Sequence, residues 1–414
     1  MNLLIKNIKQ LVTVRSNGNP YKSGNDMRDL GIIENATVLI ENGLFKWIGR
    51  SSEFTQTVDD TIDTIDASDL VGLPGFVDSH THLLFAGTRE DEFALRVEGK
   101  TYQEIAQVGG GILSTVRATR AATKKDLKKL ARRHIDTMLT EGTTTVEIKS
   151  GYGLSEKDEI KILDAINDLS EECLIDIVPT FLGAHAVPPE FKNNADAYVD
   201  LICKRMLPYI AQRKLAICCD AFCEREYFSV EQCRKIFTTA QLLGLRIKIH
   251  ADQLTQIGAS KLAAEMGALS ADHLEQIDDA GMIALKQSGT IATVLPGVSF
   301  FLHCNYPPAR KMIEAGIPLA IASNFNPGSC MSFSMPMMMT IACTQLSMTP
   351  EEAITASTLN GAAALGLSEK IGSIEVGKQA DIVLYDIPGY RYLAYHFGTN
   401  HVAKVIKHGT YFDF

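Results

Sequence analysis

The stretch Pro74-Gly75-Phe76-Val77-Asp78-Ser79-His80-Thr81-His82 decides how the rest of the chain is read. A Pro-Gly pair opens a short apolar strand, and the strand runs straight into two histidines spaced i, i+2. On extended backbone, residues two apart point to the same face, so the two imidazoles project together, as a metal site requires. A His-x-His pair alone is weak evidence. Its weight comes from its place at the C-terminal end of a strand, the edge where a parallel barrel assembles its chemistry.

Working outward, short apolar segments of the same kind recur. After Gly75 to Asp78 come Thr143 to Ile148, Asp176 to Phe181, Leu215 to Phe222, Leu245 to Ile249, Leu269 to Asp272, Thr290 to Val294 and Ile317 to Ala322. Amphipathic stretches such as Lys124 to Leu139 and Glu156 to Leu169 lie between them. Strands alternating with helices in this way predict a closed parallel α/β barrel over about residues 73–367. A doubly wound open sheet is the competitor. No Gly-x-Gly-x-x-Gly follows an early strand, so nothing supports dinucleotide binding. Both chain ends differ from this middle, with short strands and turns such as Asn17-Gly18-Asn19-Pro20 and Glu41-Asn42-Gly43. Thr349-Pro350-Glu351-Glu352 reads as a capping box, and Met335 to Met339 as a buried helix start.

Three more histidines end later strands: His185, His250 and His273. Each alone is more often structural, but strand ends on one barrel edge converge on one pocket. His134 reads as solvated on a basic helix face, and His303 is ambiguous. His396, His401 and His408 fall in the terminal part, away from any chemistry.

The chain has 414 residues and a formal net charge of −9, which does not suit a nucleic-acid binder. Its nine cysteines are odd in number and show no repeated spacing, so no disulfide framework is expected. Cys218, Cys219 and Cys223 read as small buried hydrophobes. Lys6 and Lys9 interrupt the apolar start, against a signal peptide, and no apolar run approaches the roughly 18–20 residues of a membrane span. The expectation is a soluble cytoplasmic protein with reduced thiols.

Pro74 to His82 resembles the metal-ligand signature of the amidohydrolase superfamily. Ile371-Gly372-Ser373-Ile374-Glu375-Val376-Gly377-Lys378-Gln379-Ala380-Asp381-Ile382-Val383 is similar to its C-terminal signature. Five further blocks narrow the resemblance to the imidazolonepropionases of histidine catabolism. They are Phe85-Ala86-Gly87-Thr88-Arg89, Gly109 to Ile112 with Thr115 to Arg120, Lys149 to Leu154, Phe181 to His185, and Phe325 to Ser329. It runs over essentially the whole chain.

The resemblance implies a distorted (β/α)8 TIM-like barrel over residues 73–367. It also implies a small β-sandwich built from both termini, residues 1–72 plus 368–414. It implies one divalent metal, zinc or iron, held by His80, His82, His250 and the residue at 324. Substrate contacts fall on Arg89, Tyr102, Tyr152, His185, Gln253, Asn326, Gly328 and Ser329, and His273 takes the place of a catalytic histidine. The implied substrate is the small anion 4-imidazolone-5-propanoate, opened at its ring C–N bond to N-formimidoyl-L-glutamate. Arg89 suits its carboxylate through a bidentate fork. The metal would activate a water for attack on the ring carbonyl, with the metal or His273 stabilising the oxyanion. Neither nucleic acid nor membrane is implied as a partner, and a homodimer is the expectation from the family.

One residue departs from the superfamily pattern. Asn324 stands where an Asp is usual, and an amide cannot act as a base near neutral pH. Asn324 is therefore a catalytic position carrying the wrong group. Turnover is expected to fall by ~10²–10⁴-fold, while metal binding survives on three histidines. Gln253, where relatives can carry Glu, likewise cannot take a proton, which leaves His273 or His185 as the base. The competing readings are a ligand-binding barrel without catalysis and another cyclic amidohydrolase or deaminase.

Overall fold

Residues 2–57, 62–100, 104 and 110–413 are described by the computed structural model. Eight parallel strands follow one another in chain order around one sheet. They are β6 (Phe76–Asp78), β7 (Thr143–Lys149), β8 (Asp176–Ala184), β9 (Cys218–Cys223), β10 (Arg246–Ala251), β11 (Ser270–His273), β12 (Ile291–Val294) and β13 (Leu319–Ile321). Just past the strand ends the first and last close on each other. Asn324 N donates to His80 O at 2.9 Å and His82 N to Phe325 O at 3.0 Å. The architecture is thus the (β/α)8 barrel read from the sequence, not the open sheet.

Alternation along β7 explains an unusual interior. All seven residues are buried. Val146 and Ile148 join the main apolar core under the helices, so Thr145, Glu147 and Lys149 project the other way, into the barrel. The helix Lys124–Thr140 covers its neighbour with Leu127, Ala131, Ile135, Met138 and Leu139, and Thr123 caps its start by accepting from Asp126 N. Each such Leu, Ile or Met contributes about 1.5–3 kcal/mol when fully buried. His134, expected in solvent, instead packs its half-buried ring against Phe325 at 4.9 Å and Phe333 at 6.1 Å. It buttresses the segment that follows the eighth barrel strand. The capping box at Thr349 forms, and Met335, Met338 and Met339 are buried in the helix Met335–Gln345.

The two chain ends meet in a second, mixed sheet. Its path runs from the C-terminal strands β16 (Thr410–Asp413), β15 (Val402–Lys407) and β14 (Ile382–Tyr385) to β5 (Val71–Pro74), β1 (Leu3–Leu11), β2 (Ile33–Glu41) and β3 (Leu44–Arg50). The strand β4 (Asp63–Asp66) pairs with β1 off this path. It touches the barrel at the end remote from the histidines. Lys407 Nζ lies 2.6 Å from Asp176, at the start of β8, and 2.7 Å from Asp381. Burial works against the Asp176 carboxylate, but His408, Lys407 and Gln379 outweigh it and hold its pKa below the usual range. No helix among the described residues is long and apolar enough to cross a membrane.

Candidate active site

His80 and His82 leave the end of β6, and His250 sits in β10. Their Nε2 atoms converge: His80 to His82 at 3.3 Å and His250 to His82 at 3.3 Å. Burial, reinforced by neighbouring cationic groups, holds the pKa of His80 and His82 well below the usual histidine value, and burial lowers that of His250 despite Asp220. Carboxylates fix two of the rings from behind. Asp272 lies 2.6 Å from His80 Nδ1 and Asp220 3.0 Å from His250 Nδ1. With Nδ1 carrying the proton, each Nε2 presents a lone pair to the same point. The lone pairs of His80 and His250 thus face His82 Nε2 at 3.3 Å, and the three ring nitrogens together make a donor set that fits a metal ion. Asn324 Oδ1 is buried and has no hydrogen-bond partner among the described residues, which fits a fourth oxygen donor.

Behind the triad lies a fully buried charge network. Lys149 Nζ is 2.7 Å from Glu147 and 2.8 Å from Asp220, and Lys248 Nζ is 3.6 Å from Glu147 and 3.7 Å from Asp272. Burial opposes the Lys149 ammonium, but Asp220, Glu147 and Asp272 outweigh it and keep its pKa above the usual lysine value. Three carboxylates against two ammoniums leave one negative charge behind the imidazoles, which favours a cation in front of them.

The triad opens onto a cavity of about 930 Å³. Arg89, Tyr152, His185, Gln253, His273, Asn324, Asn326, Gly328 and Ser329 all line it with His82 and His250. Tyr102 lies outside the described residues. His185 stacks on His82 at 4.9 Å, and its Nδ1 lies 3.1 Å from Gly151 O, so Nε2 is left toward the cavity. Burial, then His250, pushes its pKa down to about 3. Gly151 allows this approach: its φ is +112°, and a Cβ there would meet His185 Nδ1 and Leu182 O at 3.0 Å. Gly328 plays a similar part, because a side chain there would collide with the Arg89 guanidinium. Asn326, which lines the cavity, also has a local task. Its amide shapes the loop, accepting from Gly328 N at 2.8 Å and Ser329 N at 2.9 Å and donating to Asn324 O at 2.6 Å.

Several residues that position the site were not found by sequence reasoning. Glu159 wraps the loop carrying Tyr152, accepting from Gly153 N and Leu154 N at 2.8 Å and Gly151 N at 3.1 Å. Glu224 does the same for the loop after Gln253, accepting from Leu254 N at 2.8 Å and Thr255 N at 3.0 Å. Glu92 holds Arg89 Nη2 at 2.6 Å, and Arg96 donates to Gly328 O at 3.1 Å. The i, i+3 and i, i+7 spacing of Arg89, Glu92 and Arg96 was the available signal.

The depressed histidines have a consequence for stability. The unfolded chain takes up protons at these rings as pH falls through 6.5, whereas folded His185 does so only near 3. Stability is therefore present above 6.5 and lost as pH falls toward 3. The melting temperature of the metal-free protein is expected to fall over this window, and a flat profile would contradict the neutral-imidazole assignment.

Comparison with known proteins adds an independent finding. The model of the amidohydrolase family matches residues 71–411. An imidazolonepropionase of Porphyromonas gingivalis is 47% identical over 411 residues, covering 99% of this chain and 97% of that protein. One of Alkaliphilus oremlandii is 47% identical over 409 residues, covering 98% and 96%. Among solved structures, a triazine hydrolase variant superposes with a TM-score of 0.77 at 16% identity, covering 99% of this chain and 94% of that one. An adenosine deaminase of Xanthomonas campestris with bound zinc gives 0.70 at 18% identity, covering 99% and 92%. At such identities the solved structures speak for the fold alone.

Proposed function

We infer that this chain, which belongs to the amidohydrolase family and within it to the imidazolonepropionases, hydrolyses the ring C–N amide bond of 4-imidazolone-5-propanoate. The product is N-formimidoyl-L-glutamate, a step of histidine degradation. The observation that carries this reading is one cavity, lined by His82 and His250 of the three converging imidazoles, that also holds a mostly buried arginine. A substrate with a hydrolysable ring at one end and a carboxylate at the other needs that pairing.

His80, His82 and His250 would hold one divalent ion, zinc or iron, with Asn324 Oδ1 as a neutral fourth donor. When bound, the metal supplies Lewis acidity and makes a water nucleophilic near neutral pH. The protein's own groups do the rest. Arg89 takes the propanoate carboxylate, using the buried Nε that has no partner of its own. Tyr152 and His185 flank the ring, and the Gln253 amide and Ser329 hydroxyl orient its polar atoms. His273 Nε2 takes the proton that the attacking water gives up and passes it to the departing ring nitrogen as the C–N bond breaks. We place the reaction in the cytoplasm, consistent with free thiols at all nine cysteines. We take the protein to act there as a homodimer, without nucleic acid or membrane.

The test pairs elemental analysis with chromatographic detection of imidazolone-propanoate hydrolysis by this chain and by Asn324→Asp. Metal bound with no product from either would sink the reading. Arg89→Ala is expected to raise KM by about 10–100-fold, the equivalent of a charged hydrogen bond worth ~1.5–3 kcal/mol, with kcat less affected. An unchanged KM would remove Arg89 as the carboxylate anchor.

A further inference from the structure

Glu275 lies beside His273, and the reaction as described assigns it no part. The side chains of His273 and Glu275 are 2% and 3% exposed, and His273 Nδ1 lies 3.5 Å from Glu275 Oε1. Neither His273 Nδ1 nor either Glu275 oxygen has a hydrogen-bond partner among the described residues. A buried carboxylate without donors is unfavourable, and here the imidazole Nδ1–H is the donor within reach. The backbone supports the juxtaposition. His273 and Leu274 adopt φ of 85° and 71°, a left-handed run that residues with side chains rarely take. Leu274 N and Gln276 N are tied to Ala251 O at 3.0 Å and Asp252 O at 2.8 Å, so the turn is held against the end of β10.

The chemistry of the cavity gives the pair a task. Residues 324 and 253 are amides and carry no proton between water and leaving group. Glu224 is committed to backbone amides, Glu92 to Arg89, and His185 to Gly151 O. His273 remains, and a histidine that passes a proton needs one ring nitrogen anchored so that the other faces the substrate.

We propose that Glu275 is the positioning residue of the site: it accepts from His273 Nδ1–H, fixes the ring and its tautomer, and so aims Nε2 into the cavity. This rests on the functional reading above for the identity of the substrate and for His273 as the proton carrier.

Glu275→Ala, Glu275→Gln and Glu275→Asp would be made in this chain and in the Asn324→Asp background. Glu275→Ala is expected to lower kcat by roughly 10–100-fold, the scale seen when the partner orienting an active-site histidine is removed, with KM and metal content held. Glu275→Gln should recover part of the loss, since its amide oxygen still accepts from Nδ1–H. Long-range proton–nitrogen NMR of the metal-free protein should show His273 protonated at Nδ1, and a mixture of tautomers in Glu275→Ala. An unchanged tautomer and unchanged kcat in Glu275→Ala would overturn the proposal. So would a loss of kcat accompanied by lost metal and a lower melting temperature, which marks a structural residue. The NMR arm does not depend on the substrate. If no chain hydrolyses imidazolone-propanoate but the tautomer shifts as described, the substrate assignment fails and the role of Glu275 stands.

Discussion

Restoring a carboxylate by Asn324→Asp is expected to raise kcat by roughly 10²–10⁴-fold, the range supplied by a positioned general acid–base group. The local structure accommodates the exchange. Residue 324 has φ of 54°, a region that Asn and Asp both tolerate, and its backbone N–H is held by His80 O at 2.9 Å. The Asn324 amide donates to Ser329 Oγ at 3.2 Å. With Asp, the Ser329 hydroxyl can rotate and donate instead, so no buried donor is stranded. Oδ1 keeps its place as the oxygen without a protein partner. The change therefore adds one ionisable group at the end of the eighth strand and alters little else. Metal affinity is expected to rise with it, because an anionic ligand replaces a neutral one. Equal metal content and no gain in kcat would show that 324 carries no proton in the reaction, and would leave that work to His273.

The residues that make up the barrel were readable because each strand is a short apolar run between punctuating residues, and all eight fall where the runs fall. The misjudged edges have local causes. β9 starts at Cys218 rather than Leu215, because Lys214, with φ of 55°, ends the preceding helix and residues 215–217 carry the chain back to the sheet. His80, His82 and His250 were readable for a different reason, since a ligand histidine on a strand end is set by local geometry. The carboxylates were not. Glu159, Glu224 and Glu275 act by accepting from loops or rings, and in sequence a glutamate under a folded loop looks the same as one on the surface. His134 was misread because Arg132 and Arg133 flank it. Its ring lies beside the apolar stripe of Ala131, Ile135 and Met138, and only the return of Phe325 and Phe333 makes that edge an interior.

Glu147 and Lys149 mark the deepest departure from an apolar barrel core, and they set the second large expectation. Lys149→Met is expected to destabilise the metal-free protein by about 3–5 kcal/mol, the effect of removing one partner from a buried ion pair. The midpoint of urea unfolding would read it. Without the ammonium, Glu147, Asp220 and Asp272 retain only Lys248, at 3.6 Å from the first and 3.7 Å from the last, and Asp220 is left facing His250 at 3.0 Å. The sign of the metal dependence follows from the same charges. Added negative charge behind the imidazoles strengthens their hold on a cation, so the metal-loaded protein should lose less stability than the metal-free one. The double variant Lys149→Met/Glu147→Gln should recover part of the loss. It removes the carboxylate that orients no imidazole, and the Gln oxygen can still accept from Thr180 Oγ1, which lies 2.5 Å from Glu147 Oε1. Recovery in the double variant would separate charge imbalance from lost packing, because packing would be worse in neither member of the pair. An unchanged midpoint for Lys149→Met would mean that water or rearrangement neutralises the three carboxylates, and the barrel interior would then be stabilised by something other than this ion-pair network.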